Sequence, residues 1–155
     1  RAVVTKEDYL QCGFGIHRWE DIEAVYNQAS YNAIAYPFVL QPFIENYTDI
    51  RVIVAGDYFE AYTRENENNF RMNLTAGGTS KPYSLSDDQL AVCRAVMERG
   101  KFPYAHIDLL INEKGHSFLS EAALNGGMKG SRISREELDR IKQEILEKMA
   151  HSWEQ

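Results

Sequence analysis

An α+β fold built on a mainly antiparallel sheet, with helices packed on one face, is predicted for this chain by two hairpin signatures and two capped amphipathic helices. The first hairpin covers 50–55 and 58–64, two alternating segments joined at Gly56-Asp57. The second reads PYAHIDLLI, NEKG and HSFLSEAALNGG: an apolar strand, a turn ending at Gly115, and a returning strand. Both helices open on a capping box, Ser86 with Gln89 and Ser134 with Glu137, in which side chain and backbone satisfy each other's N–H groups.

The remaining elements follow in order. Residues 2–6 form a short β-rich run before a loop containing Gly13 and Gly15. Residues 19–30 read as a helix, with Trp19, Ile22, Val25, Tyr26 and Ala29 on one stripe. Pro37 opens a strand over 38–44, and Pro42 within it lacks the N–H of a ladder, which demotes the segment to an edge or a connector. The polar, Gly-containing stretch 65–81 reads as a loop. In the next helix Leu85 staples to Leu90, Leu90, Cys93, Val96 and Met97 face inward, and Gly100 stops the run. In the last helix Ile133 staples to Leu138, and Leu138, Ile141, Ile145, Met149 and Trp153 recur at helical spacing.

At 155 residues the chain is one domain or two small lobes. Hydrophobic content of 44% against 26% charged residues is that of an ordinary globular protein, and a net charge of −6 argues against general nucleic-acid or anionic-membrane binding. No apolar stretch approaches the roughly 20 residues of a membrane span, and no signal peptide is visible. Cys12 and Cys93 stand alone, the pattern of reduced thiols in a cytoplasmic protein. The chain begins at Arg1 and enters a strand at once, which suggests the later part of a longer protein, through cleavage, truncation or missing upstream sequence.

Chemistry is concentrated in the second hairpin. If its turn pairs Ile111 with His116, Asp108 lies opposite Leu119 and diagonal to Glu121, a separation of roughly 7–8 Å on one face. Ile107, Leu109, Ile111 and Phe118 then face a core. Two carboxylates so placed either repel as solvated acids or grip a hard cation, and Mg²⁺ is the usual occupant near phosphates. Arg51, Arg64 and Arg71 interrupt apolar or aromatic segments in a chain of negative charge, which points to an anion site. His17, His106, His116 and His151 show no paired ligand spacing and read as surface or core residues.

The stretch QPFIENYTDIRVIVAGDYFEAYTRENENNFRMNLTAGG, followed by YAHIDLLI and FLSEAALNGG, resembles the ATP-grasp superfamily. It is most similar to the branch that contains glutathione synthetase and the RimK-type carboxylate–amine ligases. The resemblance covers roughly residues 2–130 and rests on an ordered set: strand Lys, Gly-rich loop, hinge strand, D-I-R strand, hairpin ending in Arg, F-R-x-N, strand Asp and strand Glu.

That resemblance implies one ATP-grasp region over 1–155, with 1–40 ending the smaller ATP-binding lobe, 41–155 forming the larger lobe with the metal site and last helix, and an upstream substrate domain missing. It implies ATP and Mg²⁺ (or Mn²⁺) as cofactors. Lys6, Gly13 and Gly15 would meet phosphate, and Gln41, Pro42, Phe43 and Ile44 the adenine edge. Asp49 would meet the ribose, unless it simply forms a turn. Arg64, Arg71 and Asn73 would lie over the phosphates and an acyl-phosphate intermediate. Asp108 and Glu121 would hold the metal ions. The usual third ligand, an Asn two residues after the Glu, is here Ala123, which leaves Asn125 as a displaced substitute. The implied reaction is an ADP-forming ligation of a small-molecule carboxylate to an amine or thiol, with no nucleic-acid or membrane partner, homo-oligomerisation left open, and little activity in this piece alone. The alternatives are a non-catalytic ATP/Mg-binding module or fragment, and an ordinary structural or interaction domain whose acids and arginines pair with each other.

Overall fold

The computed structural model describes residues 1–8, 10, 14–66, 74 and 78–153, which divide into two units, Arg1–Glu45 and Asn46–Gln155. In the first unit, β1 (Val3–Glu7) lies between β2 (Ile16–Trp19) and β3 (Phe38–Pro42), all antiparallel. The edge position of β3 is the one that Pro42 demanded. Thr5 is fully buried at the centre of β1, and its hydroxyl accepts a 2.8 Å hydrogen bond from Trp19 Nε1. Trp19 therefore ends a strand rather than beginning the helix. Helix α1 (Ile22–Ser30) starts at Asp21, whose carboxylate accepts from the Ala24 N–H at 2.9 Å. Of its apolar stripe Val25 is buried, whereas Ile22 and Tyr26 stay exposed.

The second unit is a five-stranded antiparallel sheet in the order β6 (Thr79–Pro82), β5 (Tyr58–Glu65), β4 (Tyr47–Ala55), β7 (Tyr104–Asn112), β8 (Ser117–Ala123). The segment read as a loop over 65–81 thus contributes β6. Central strands β4 and β7 bury both faces, so α2 (Asp87–Gly100) and α3 (Arg135–Trp153) take one each. Ile50, Val52, Ile107 and Leu109 pack with Cys93 and Val96 of α2, while Ile53, Ala55 and Tyr62 pack with Leu138, Ile141 and Ile145 of α3. Fully burying each such side chain contributes about 1.5–3 kcal/mol. The expected α+β class and antiparallel sheet are found; the helices, expected on one face, divide between two. Beyond Ile145 the α3 stripe emerges, and Met149 is exposed.

The start of α2 carries both bonds of the expected capping box, and the start of α3 shows the Ser134 arm of its own. Ser86 Oγ accepts from Gln89 N at 3.3 Å while Gln89 Oε1 accepts from Ser86 N at 2.9 Å, and Ser134 Oγ accepts from Glu137 N at 3.1 Å. The end of α2 differs in detail. Lys101 takes the left-handed conformation (φ 49°), while Gly100 is needed for the close approach of the Phe102 ring to its backbone.

Candidate functional site

The second hairpin is built in a register shifted from the one expected. Asn112 Oδ1 accepts the N–H groups of Lys114 (3.0 Å) and His116 (2.9 Å), Gly115 takes φ +77°, and the Asn112 N–H donates to His116 O at 3.1 Å. This closes the turn on Asn112 and pairs Ile111 with Ser117 instead of His116. Leu109 then faces Leu119, an irregularity follows, and Asp108 lies directly opposite Glu121. The bulge around Ser120 is what brings Glu121 into line, a common use of an extra residue beside a site. Directly opposed residues share a face with Cβ atoms roughly 4.5–5.5 Å apart, closer than the diagonal expected. The same shift leaves Phe118 40% exposed rather than in the core.

Register places the charges in rows across the sheet. Tyr62, Arg51, Asp108 and Glu121 form one row; Arg64, Asp49, Leu110 and Phe118 form the next on the same face. Arg51 grips Asp108 with two bonds, Nε to Oδ1 at 2.8 Å and Nη2 to Oδ2 at 2.7 Å. Arg64 Nη2 adds a third at 2.8 Å to Oδ2, and Arg64 Nε binds Asp49 Oδ1 at 2.6 Å. Asp108 is 5% exposed and Asp49 8%. Burial alone would raise both carboxyl pKa values, and the balance differs between them. At Asp108 the hydrogen bonds and charge of Arg51, with help from Arg64, outweigh burial and hold the pKa below the usual 3.8. At Asp49 burial wins over Arg64, and the pKa is pushed up to about 6. Glu121 is exposed and makes no hydrogen bond or ion pair among the described residues.

Below these rows lies a third, Glu60, Ile53, His106 and Ala123. Ala123, standing where the resemblance calls for Asn, therefore faces His106. His106 is 2% exposed, and neither ring nitrogen finds a partner among the described residues; the buried Tyr62 hydroxyl is likewise unpaired. Burial first, then Lys142 and Arg51, lowers the His106 pKa to about 4, so the ring is neutral near pH 7. Gly126 lies against this ring: a Cβ there would fall 2.7 Å from His106 Nδ1. Asn125, the displaced metal candidate, accepts from Lys142 Nζ at 3.1 Å, and the same ammonium donates to Leu124 O at 3.0 Å.

Glu60, at the far end of that row, is a separate structural anchor. Burial alone would raise its pKa, but hydrogen bonds from Tyr58 OH (2.7 Å) and from Arg132 N and Nε (2.8 and 3.1 Å) hold it below the usual value.

The candidates of the first unit are placed as follows. Lys6 sits on β1 between Ile16 and Val39, half-buried. Gly15 has φ +69°, and its carbonyl accepts from Glu7 N at 3.0 Å. Gln41 and Pro42 pair with Val4 and Val3 on β3. The Phe43 N–H donates to Ala2 O at 3.0 Å, and its ring lies 4.5 Å below the Arg18 guanidinium. Ile44 is half-buried. Gly13, Arg71 and Asn73 lie outside the described residues. Among the described residues no group of three or more His, Cys, Asp or Glu side chains converges on one point, and no helix is long and apolar enough to cross a membrane.

Arg51 is the residue whose importance the sequence understated. It stood out as one of three arginines, but its partner Asp108 is 57 residues away and becomes visible only once β4 and β7 are known to be neighbours.

An antiparallel α+β domain with opposed carboxylates on a sheet face, fenced by two arginines, is the class of structure these observations define. A comparison with protein families matches residues 2–149 to the RimK-like ATP-grasp domain, and the chain belongs to that family. A search of the curated proteins returns no match. Among solved structures, the chain is similar to a RiPP-associated ATP-grasp ligase from Chryseobacterium gregarium, in complex with ADP and a leader and core peptide. The identity is 16% over 98% of this chain and 49% of that one, with a TM-score of 0.64. It is also similar to D-alanyl-alanine synthetase A from Vibrio cholerae, with 11% identity over 94% of this chain and 52% of that one at a TM-score of 0.65. The biotin carboxylase domain of a Hydrogenobacter thermophilus 2-oxoglutarate carboxylase, in complex with MgADP and bicarbonate, matches at 19% identity over 83% and 32% with a TM-score of 0.57. The chain spans about half the length of the first structures it matches.

Proposed function

We propose that this chain is the catalytic ATP-grasp domain of an ATP-dependent, ADP-forming ligase that joins a carboxylate to an amine or thiol through an acyl phosphate. The observation that carries this reading is the direct opposition of Asp108 and Glu121 beside Arg51 and Arg64 on one sheet face.

The donor set fits a hard divalent cation. Both groups are carboxylates, and Asp108 is held ionised by its guanidinium neighbours. Two features qualify the fit: Ala123 offers no ligand, and both Asp108 oxygens are engaged by arginine, so those contacts must be exchanged. Asp108 and Glu121 would hold Mg²⁺ or Mn²⁺, with Asn125 available only if Lys142 releases it. Bound there, the cation would neutralise the β and γ phosphate oxygens of ATP.

The chain's own side chains do the rest. Arg64, together with Arg71 and Asn73, is proposed to stabilise the transferring phosphoryl group by directed N–H donation. Lys6 and the loop at Gly13 and Gly15 supply positive charge and backbone N–H groups to phosphate. Gln41, Pro42, Phe43 and Ile44 present main-chain groups to adenine, and Asp49 accepts from the ribose. A carboxylate oxygen of the substrate attacks the γ phosphorus and ADP leaves; the amine then attacks the acyl carbon and phosphate leaves. The acid is a small molecule or a peptide side chain, the latter suggested by the peptide bound to the Chryseobacterium neighbour. A cytoplasmic location accords with the free, buried Cys93, and oligomerisation stays open.

The test is thermal unfolding with Mg²⁺ and the non-hydrolysable analogue AMPPNP. At a ligand concentration 100 times the dissociation constant, stability rises by about 2.7 kcal/mol. Asp108→Asn and Glu121→Gln should each abolish the Mg²⁺-dependent part of that rise. No stabilisation by any adenine nucleotide with Mg²⁺ or Mn²⁺ refutes the reading. The engagement of Asp108 by two arginines and the loss of a ligand at Ala123 favour one second reading, a non-catalytic nucleotide-binding module. Nucleotide binding with no ADP release under any mixture of acids and amines would select it.

A further inference from the structure

One guanidinium touches both halves of the candidate site. Arg51 holds Asp108 through Nε and Nη2, and its remaining terminal nitrogen, Nη1, donates to the carbonyl of Gly127 at 3.0 Å. Gly127 belongs to the glycine-rich segment that follows β8. Both ends of this segment are pinned independently. Lys142 Nζ holds Leu124 O and Asn125 Oδ1 at 3.0 and 3.1 Å, and Lys129 Nζ donates to Leu74 O at 2.7 Å. Between these pins, Gly127 is fastened to the sheet through Arg51. Gly126 beside it rests on the His106 ring, with no side chain of its own to anchor it.

We propose that Arg51 is a positioning residue that ties cation uptake at Asp108 to the conformation of the segment around Gly126 and Gly127. The proposal rests on the reading of Asp108 as a cation ligand given above. A guanidinium is a rigid planar fork, and its N–H directions are fixed relative to one another. It cannot withdraw two bonds from a carboxylate and keep the third nitrogen aimed unchanged at a carbonyl on the other side. While the fork is seated, Asp108 is closed to a metal ion by an internal cation, and Gly127 is held against the sheet. When a polyphosphate draws the guanidinium away, the carboxylate opens and the Gly127 carbonyl is released in the same motion. Arg64 shares Asp108 but touches no atom of the segment among the described contacts, so the coupling belongs to Arg51.

The test uses this chain with Mn²⁺ alone as probe, followed by electron paramagnetic resonance, and hydrogen exchange of amides 124–131 as a second readout. Without nucleotide, Arg51→Met should bind Mn²⁺ at least about tenfold more tightly than the wild type, because a cation competing within contact distance has gone. Adding Asp108→Asn to that variant should remove the gain. Exchange around Gly126 and Gly127 should be faster in Arg51→Met. In the wild type, Mn²⁺ with AMPPNP should bring the same acceleration. Arg51→Lys retains a charge without a fork, so it should keep Mn²⁺ out yet show the faster exchange; it serves if the Met variant does not fold. Equal Mn²⁺ affinity in Arg51→Met and wild type overturns the proposal, as does unchanged exchange in Arg51→Lys. Failure of Mn²⁺ with AMPPNP to bind the wild type would instead count against the ligase reading, since the comparison with Mn²⁺ alone needs no nucleotide.

Discussion

Lowering the pH exposes the charge arrangement behind this sheet face, because His106 and Asp49 contribute to stability with opposite signs. His106 is driven from 6.5 down to about 4 by burial and then by Lys142 and Arg51. As pH falls from 6.5 through 4, the unfolded chain takes up a proton that the folded chain refuses, so stability is lost. With the folded imidazole half-titrated near pH 4, the loss between about pH 7 and 4 is about 3 kcal/mol. Asp49 runs the other way. Its pKa rises from 3.8 to about 6, chiefly through burial, so the folded chain binds a proton between those values that the unfolded chain largely does not. This adds back about 2 kcal/mol over the same range. The wild type should therefore lose only about 1 kcal/mol from this pair, whereas Asp49→Asn should lose about 3. Urea unfolding followed by circular dichroism between about pH 4 and 7 measures both, and titrations common to the two proteins cancel in the difference. A wild-type minus Asp49→Asn difference that stays constant within about 0.5 kcal/mol, or that shrinks as pH falls, would refute the reasoning and mean that Arg64 keeps Asp49 charged.

Two further outcomes follow from the geometry. Gly126→Ala drives a methyl into the His106 ring at 2.7 Å, and the backbone must lift; urea denaturation should register a loss of about 1–3 kcal/mol. Ser86→Ala removes one arm of the α2 capping box and should cost about 1 kcal/mol in the same assay, with nucleotide-dependent stabilisation unaffected.

The sequence by itself determined the local elements and the chemical inventory. Alternation defined the strands of the first hairpin and an apolar run with a turn ending at Gly115 those of the second, paired Ser and Gln or Glu residues marked where α2 and α3 begin, and Pro42 forecast the edge position of β3. These signals are legible because each rests on contacts within a few residues of chain. The second hairpin singled out Asp108 and Glu121, and the resemblance, now matched by the family assignment over 2–149, pointed to the same two acids. Tertiary structure decided their relation. The Asn112 side chain reset the turn, the bulge at Ser120 realigned Glu121, and the adjacency of β4 and β7 set Arg51 against Asp108. Which strands lie side by side depends on how both faces of a central sheet are covered, and no short window of sequence carries that. The same holds for charge: Asp49 and Asp108 are the same residue type beside the same Arg64, and only the balance of burial against hydrogen bonds in the folded chain drives their proton affinities apart.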